Sequence, residues 1–243
     1  MGVWGRYAGA RKQLVRTVFD VYRGVEHRLS PSIAAPPPGF RGTGPIERAE
    51  VSEPYVAMTF DDGPDPVNTP RLLDILAARG VKATFYVIGE PATVYPDVVR
   101  QTLAEGHEVG SHTWSHRFLT TQTSHSIARE LIRTEEAVED AIGVPPASLR
   151  PPYGAVTRRM TRWIDHQFGY PTVLWSVSAR DWENPGPELI TERLLAGTTA
   201  GSIVLNHDPL TDTVDAMSQT LDRLLDRGFR FVTVSELIEL GAG

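Results

Sequence analysis

The chain has 243 residues, a length that suits a single α/β barrel domain, and its 41% hydrophobic and 22% charged residues are typical of a globular protein. The formal net charge of −6 argues against nucleic acid as the main partner. The sequence contains no cysteine, which excludes disulfides and thiolate metal sites. Any metal ion must therefore be bound by histidine and carboxylate side chains.

The first 50 residues differ in composition from the rest. Within residues 1–30, six basic residues stand against two acidic ones and apolar residues recur at helical spacing, so a basic amphipathic helix is predicted. This helix is expected to pack against the domain or, alternatively, to contact an anionic membrane surface. Prolines and glycines between residues 31 and 45 predict an extended linker. The sequence is therefore divided into a segment 1–50 and one main domain, 51–243.

The sequence carries no clear targeting signal. No apolar run approaches the ~18 residues that a membrane span needs, and no uninterrupted apolar core of a secretory signal is recognised. A cytoplasmic location, or one at the periphery of the membrane, is the resulting default expectation. The oligomeric state has no signature in the sequence.

From about residue 54 onward, short apolar runs alternate with patterns of helical period. Because strands that alternate with helices form a parallel sheet, the predicted fold class is α/β. The number of elements favours a distorted, TIM-like (β/α) barrel with about seven parallel strands over an open doubly wound sheet. No glycine-rich phosphate loop follows the first strand, which weakens a nucleotide-binding alternative. The predicted strands are 55–60, 82–87, 108–111, 148–150, 172–177, 202–206 and 230–234, and the predicted helices are 68–79, 91–104, 124–141, 156–167, 187–196 and 213–227.

Two adjacent carboxylates, Asp61 and Asp62, follow the first predicted strand in the segment TFDDGPD. Adjacent carboxylates repel each other, so a buried pair needs a cation or a shared proton. After the third predicted strand, His112 and His116 lie four positions apart in the segment SHTWSH. Two imidazoles at this spacing can bind one ion together with a carboxylate and leave positions open for water. The pattern predicts a hydrolytic metal site.

Three further segments follow later strands: RPPY at 150–153, RDW at 180–182 and VLNHD at 204–208. With the two segments above, they resemble the five ordered motifs of the polysaccharide deacetylases, which are carbohydrate esterase family 4 and are also called the NodB homology domain. The resemblance covers roughly residues 54–240. It implies a distorted (β/α) barrel and metal-assisted removal of acetyl groups from N-acetylated sugars. Each motif follows a predicted strand, at the end where parallel barrels keep their active sites.

The resemblance implies a metal site and a base. Asp62, His112 and His116 would bind a divalent cation, with Zn²⁺ as the expected ion and Co²⁺ as an alternative. Asp61 would be the general base. Arg150 would orient Asp61 and keep it ionised between turnovers.

The remaining roles concern the oxyanion, the general acid and the substrate. The family assigns the oxyanion contact to the backbone N–H of the residue that matches Tyr153, which is therefore also a substrate-binding residue. His207 would be the general acid, and Asp181 would stabilise its protonated form. Trp182 and Leu205 would line an apolar slot for the acetyl methyl group.

Two further positions bear on the resemblance. His107 matches a residue that is usual in the family at this position, but it falls at the start of the third predicted strand and is interpreted as structural. The fourth motif of the family usually carries an aspartate three positions before the Asp-Trp pair, where this chain has Ser178. The missing carboxylate is expected to change the support of Asp181 or Arg150, and so the rate and pH optimum, more than the type of reaction.

The leading prediction is a metal-dependent hydrolase that removes acetyl groups from N-acetylhexosamine units of a glycan or oligosaccharide. An O-acetyl esterase acting on a xylan-type polysaccharide and a biosynthetic small-molecule amidase are alternatives, because the same site could cleave their substrates. A non-catalytic glycan-binding protein is a further alternative from a different class. The complete set of predicted base, acid and ligands argues against it, since binding alone requires neither a base nor an acid. The sequence does not indicate which glycan is used.

Overall fold

The computed structural model describes residues 44–241, and the helix predicted within residues 1–30 lies outside this range. Most of the predicted linker lies outside it as well. The described residues form a six-stranded sheet covered by helices. The strands are β1 (Tyr55–Asp61), β2 (Thr84–Val87), β3 (Glu108–Ser111), β4 (Val177–Ser178), β5 (Ile203–His207) and β6 (Arg230–Phe231).

The helices alternate with the strands along the chain, as the sequence predicts. Between residues 44 and 241, none of them combines the length and the apolar character needed to cross a membrane. Short 3₁₀ turns add to them at Leu119–Thr121, Pro152–Gly154 and Asp181–Glu183. The α-helices are α1 (Asn68–Ala77), α2 (Gly89–Val94), α3 (Pro96–Ala104), α4 (Ser124–Ile142), α5 (Arg158–Phe168), α6 (Pro187–Gly197), α7 (Thr211–Asp226) and α8 (Val234–Gly241).

The sheet has the order β3-β2-β1-β5-β4, and β6 pairs with the beginning of β1. All of these pairings are parallel, so the predicted α/β class is confirmed. In the pairing of β1 with β5, Asp61 lies opposite His207. The register therefore brings the predicted base and the predicted acid to the same edge of the sheet.

The sheet is irregular between β3 and β4. The predicted strand 148–150 is reduced to bridges that Leu149 makes with Ser111 and Thr172, and regular strand structure in the predicted segment 172–177 begins only at Val177. Six strands and the bridged segment around Leu149 are consistent with the prediction of about seven parallel strands. The parallel bridges on both sides of Leu149 are consistent with a barrel that is distorted in this sector.

Along strand β1, side chains alternate between the hydrophobic core on one face and the candidate site on the other. Met58 and Phe60 are fully buried in the hydrophobic cluster that includes leucines of α1 and α7. Thr59 and Asp61, whose side chains point to the other face, both accept hydrogen bonds from Arg150. Successive side chains of a strand point to opposite faces of the sheet. The apolar residues that pack β1 against the helices therefore also direct Asp61 to the face away from the helices.

The structure corrects two of the predicted elements. The predicted helix 91–104 is divided between α2 and α3, with Tyr95 at φ −122° and ψ 53° between them. Pro96 explains the break, because a proline disfavours the helical conformation of the residue before it. The predicted strand 230–234 ends at Phe231, and helix α8 begins at Val234.

Residues 46–49, which the sequence analysis places in the segment 1–50, contact the domain. The backbone N–H of Ile46 donates to the carbonyl of Thr172 (2.9 Å), and that of Ala49 donates to Gly201 (2.9 Å). Ala49 is buried in a cluster with Ile203. The boundary at residue 50 stays a prediction, and these contacts show what a shorter chain would lose.

We expect a chain that begins at Gly44 to unfold at a higher temperature than one that begins at Glu53. The shorter chain loses both hydrogen bonds and the burial of Ala49. The measurement is thermal unfolding followed by circular dichroism at equal protein concentration. Equal midpoints would show that residues 46–49 do not contribute to stability.

Candidate active site

Three side chains at the carboxyl ends of β1 and β3 form a cluster suited to a metal ion. Nε2 of His116 lies 3.2 Å from Oδ1 of Asp62, and Nε2 of His112 lies 3.4 Å from the same oxygen. The potential ligand atoms are all within 4.8 Å of one another. Oδ1 of Asp62 is buried and has no hydrogen-bond partner among residues 44–241, which suits an oxygen that coordinates a cation. The residues present therefore fit a divalent ion.

The protonation of the cluster also suits metal binding. Nδ1 of His112 lies 2.7 Å from the carbonyl oxygen of Arg150, which can only accept, so Nδ1 carries a proton and the neutral ring has its lone pair on Nε2. Burial, together with the charge of His112, lowers the pKa of His116 and favours its neutral form. Burial raises the pKa of Asp62, but the close imidazole of His112, together with His207 and His116, outweighs this effect and lowers that pKa.

The backbone of the site is strained at several positions. Asp62, Thr113, His116 and Tyr153 have φ values of 74°, 69°, 54° and 60°. Non-glycine residues in this left-handed region cost about 1–3 kcal/mol each and persist where surrounding contacts hold them. The surrounding structure therefore holds the loops that carry the metal cluster and Tyr153 in a preset conformation.

Asp61 lies beside the cluster in a buried ion pair. Its Oδ1 accepts a hydrogen bond from Nη1 of Arg150 (2.7 Å), and its Oδ2 is 3.7 Å from Nε2 of His112. Arg150 is fully buried, donates also to Thr59 Oγ1 (2.6 Å), and lies 4.1 Å from the ring centroid of Tyr86. The predicted contact between Arg150 and Asp61 is thus present. Thr59 and Tyr86, which hold the guanidinium in place, were not predicted.

His207, which is partly buried, and Asp181, which is buried, form a second pair beside the cavity. Nδ1 of His207 donates to Oδ1 of Asp181 (2.8 Å), while Oδ2 accepts from the backbone N–H of His207 (2.8 Å) and from Thr213 Oγ1 (2.7 Å). Burial lowers the pKa of His207, but the hydrogen bond and charge of Asp181 outweigh burial and raise that pKa to about 9. The predicted contact is present, and Thr213 is an additional partner.

A cavity of about 540 Å³ connects the metal cluster with both pairs. Trp182 is 47% exposed and lies edge-on to His207, at 5.5 Å between ring centroids. Tyr153 is 57% exposed and stacks on Phe118 at 3.9 Å. Phe118 belongs to no motif and was not predicted. The aromatic and apolar residues that line the cavity are Tyr153, Trp175, Trp182, Leu205, Pro209 and Leu210.

The structure also places the two positions that bear on the resemblance. His107 is buried and accepts a hydrogen bond from the backbone N–H of Ala83 (3.1 Å), as its structural interpretation requires. Burial lowers the pKa of His107 to about 4. Ser178 accepts a hydrogen bond from the backbone N–H of Arg180 (3.1 Å). Nε of Arg150 is buried and has no partner among the described residues.

A parallel α/β sheet that carries a potential metal site, a buried carboxylate and a histidine–aspartate pair at one edge has the architecture of a metal-dependent hydrolase. The family model described as "Polysaccharide deacetylase" matches residues 48–173. This match covers half of the chain, and the chain belongs to the polysaccharide deacetylase family.

Individual relatives agree with this assignment. The chain is 38% identical over 218 residues to the peptidoglycan-N-acetylglucosamine deacetylase PgdA of Listeria monocytogenes, covering 90% of this chain and 44% of that protein. It therefore spans less than half the length of that relative. It is 38% identical over 206 residues to a chitooligosaccharide deacetylase of Sinorhizobium fredii, covering 76% of this chain and 92% of that protein. The crystal structure of the Bc1960 peptidoglycan N-acetylglucosamine deacetylase superposes with a TM-score of 0.77 at 34% identity, covering 80% of this chain and 92% of that one.

Proposed function

We propose that this chain is a metal-dependent hydrolase that removes acetyl groups from N-acetylhexosamine units of a glycan or oligosaccharide. One observation carries the proposal: the same cavity is lined by the His–His–Asp cluster, by Asp61 of the Asp–Arg pair and by His207 of the His–Asp pair. Hydrolysis of an amide needs a base, an acid and a site for the oxyanion, and the cavity offers a candidate for each. The names of the relatives support an N-acetylated glycan as the substrate class.

In this proposal Asp62, His112 and His116 bind the divalent cation. Two imidazoles and one carboxylate match the ligand preference of Zn²⁺, and Co²⁺ accepts the same donors. When bound, the ion would lower the pKa of a water molecule and polarise the acetyl carbonyl. The ligands come from two loops that follow β1 and β3, so the cluster can form only when both strands are in place.

Asp61 is the proposed general base. Arg150 holds one of its oxygens at 2.7 Å, while the other oxygen faces the cluster at 3.7 Å from Nε2 of His112. The free oxygen would accept the proton of the attacking water. Because Arg150 is fully buried and also donates a hydrogen bond to Thr59, the carboxylate of Asp61 has little freedom to turn away from the cluster.

His207 is the proposed general acid, which gives its proton to the nitrogen of the departing amine. Asp181 keeps the ring protonated through the bond to Nδ1, and Nε2 is left to donate. The backbone N–H of Tyr153 would donate to the oxyanion, and the rigid turn Pro152–Gly154 supports this role because it fixes the peptide. Trp182 and Leu205 would contact the acetyl methyl group.

Removal of the metal tests the proposal. Treatment with a chelator should abolish acetate release from chitooligosaccharides and peptidoglycan fragments, and added Zn²⁺ or Co²⁺ should restore it. Thermal unfolding of the stripped protein serves as a control that the fold is kept. Full activity of metal-free protein would contradict the mechanism. Acetylxylan and monomeric N-acetylglucosamine in the same assay would separate the alternatives of an O-acetyl esterase and a small-molecule amidase.

A further inference from the structure

Ser115 lies between His112 and His116, and both of its hydrogen-bond donors are bound by one residue of helix α4. The backbone N–H of Ser115 donates to Oε2 of Glu130 (2.8 Å), and its hydroxyl donates to Oε1 (2.8 Å). Glu130 lies in none of the five motifs and is 15 residues away from Ser115 in the chain. Both oxygens of the carboxylate are therefore used to hold a single residue of the metal-binding loop.

The loop around Ser115 needs such support. Thr113 and His116, which lie on either side of it, both have left-handed backbones, with φ values of 69° and 54°. Non-glycine residues adopt this conformation stably only when contacts from outside the loop impose it. Without these contacts, the loop would relax and turn the imidazole of His116 away from Asp62.

Other contacts hold the first half of the loop. The backbone N–H groups of Gly89 and Glu90 donate to the carbonyls of Thr113 (2.9 Å) and Trp114 (3.1 Å). The guanidinium of Arg133 lies 3.8 Å from the ring centroid of Trp114. All of these contacts act before Ser115, whereas Glu130 acts on the residue directly before His116. Glu130 is thus placed to control the second histidine.

We propose that Glu130 is a positioning residue of the metal site, which fixes Ser115 and thereby directs Nε2 of His116 toward Asp62. The inference rests on the proposed function, because it takes Asp62, His112 and His116 to be the ligands. A carboxylate suits this role, since its two oxygens can accept from both donors of Ser115 at the same time. A glutamine has one oxygen and an amide group that only donates, so the hydrogen bond between one of its two positions and Ser115 must be lost or reversed.

The test compares the variants Glu130→Ala and Glu130→Gln with the control Glu136→Ala, which removes an exposed carboxylate from the same helix. The Kd for Zn²⁺ is measured on each full-length, metal-stripped protein by titration against a competing chelator. We expect Glu130→Ala to weaken binding by about 10–100-fold, the usual effect of removing a group that orients a metal ligand. Glu130→Gln should fall between Glu130→Ala and the wild type, and Glu136→Ala should match the wild type.

Each outcome decides the proposal. A wild-type Kd in Glu130→Ala, with or without a lower melting temperature, would overturn it, because a purely structural role affects unfolding but not metal affinity. Should Glu130→Ala not fold, Glu130→Gln carries the test, and a Kd equal to that of Glu136→Ala would refute the role. If the wild type itself binds no Zn²⁺, the proposed metal site fails.

Amide hydrogen exchange of residues 112–117 in the metal-free protein then decides the positioning role. Faster exchange in Glu130→Ala than in Glu136→Ala would support the role, and equal rates would overturn it.

Discussion

Replacement of Asp61 by asparagine should lower turnover by about 10²–10⁴-fold, the usual contribution of a positioned general base, and leave metal binding almost unchanged. Asp62→Ala should instead lose the metal. The reason lies in the geometry, since Oδ1 of Asp62 lies 3.2 and 3.4 Å from the two imidazole Nε2 atoms, whereas Oδ1 of Asp61 is bonded to Arg150. The measurements are the metal content by elemental analysis and kcat on a chitooligosaccharide.

A matched control for this pair is Asp74→Asn, which makes the same change at an exposed position of α1. It should keep both the metal and the rate. If Asp61→Asn loses the metal while Asp62→Ala retains it, the two roles are reversed. If neither variant reduces acetate release, the proposal of a deacetylase fails.

Loss of the general acid should have an effect of similar size. We expect His207→Ala to keep its metal and to lower kcat by about 10²–10⁴-fold on an N-acetylated substrate. The loss should be smaller on an O-acetylated substrate, because an alkoxide leaves with less need for a proton than an amine does. The measurement is kcat on one substrate of each kind, with metal content as the control. Equal kcat for the variant and the wild type would remove His207 from the mechanism.

The pH dependence offers an independent check on His207. The imidazole must be protonated to donate, so kcat should fall as pH rises through the pKa of His207, which Asp181 raises to about 9. A divalent cation bound nearby favours the neutral ring, so the decline of kcat on the alkaline side of the pH profile, its upper limb, should lie at or below that pH. Asp181→Asn removes the negative charge and should move this limb down by about 1–3 pH units. An upper limb unchanged in Asp181→Asn would contradict the assigned acid.

The parts of the site that follow strands were predictable from the sequence. Asp61, Asp62 and His207 come directly at the ends of apolar runs, and parallel strands bring their carboxyl ends to one edge. Alternation along β1 then separates Asp61 from the helix-facing Phe60. The break at Tyr95 could also have been read from the sequence, because Pro96 follows it.

Other parts of the site carry no signal of this kind. Glu130 and Thr213 contact site residues from positions 15 and 32 residues away in the chain, and no spacing rule links them to their partners. Phe118 reaches Tyr153 only because two separate loops meet beside the cavity. The reduction of the segment around Leu149 to single bridges reflects the tertiary packing of that sector, which limits the strand predicted at residues 148–150.

Selection for heat resistance alone would work against this active site. Asp62, Thr113, His116 and Tyr153 have backbone conformations that glycine adopts without steric penalty. Stabilising substitutions would therefore tend to collect at these four positions, two of which are proposed metal ligands, and a library selected for a high melting temperature would lose the proposed metal site. Screens for stable variants of this protein should keep the four positions fixed and look for stability in the helical layer instead.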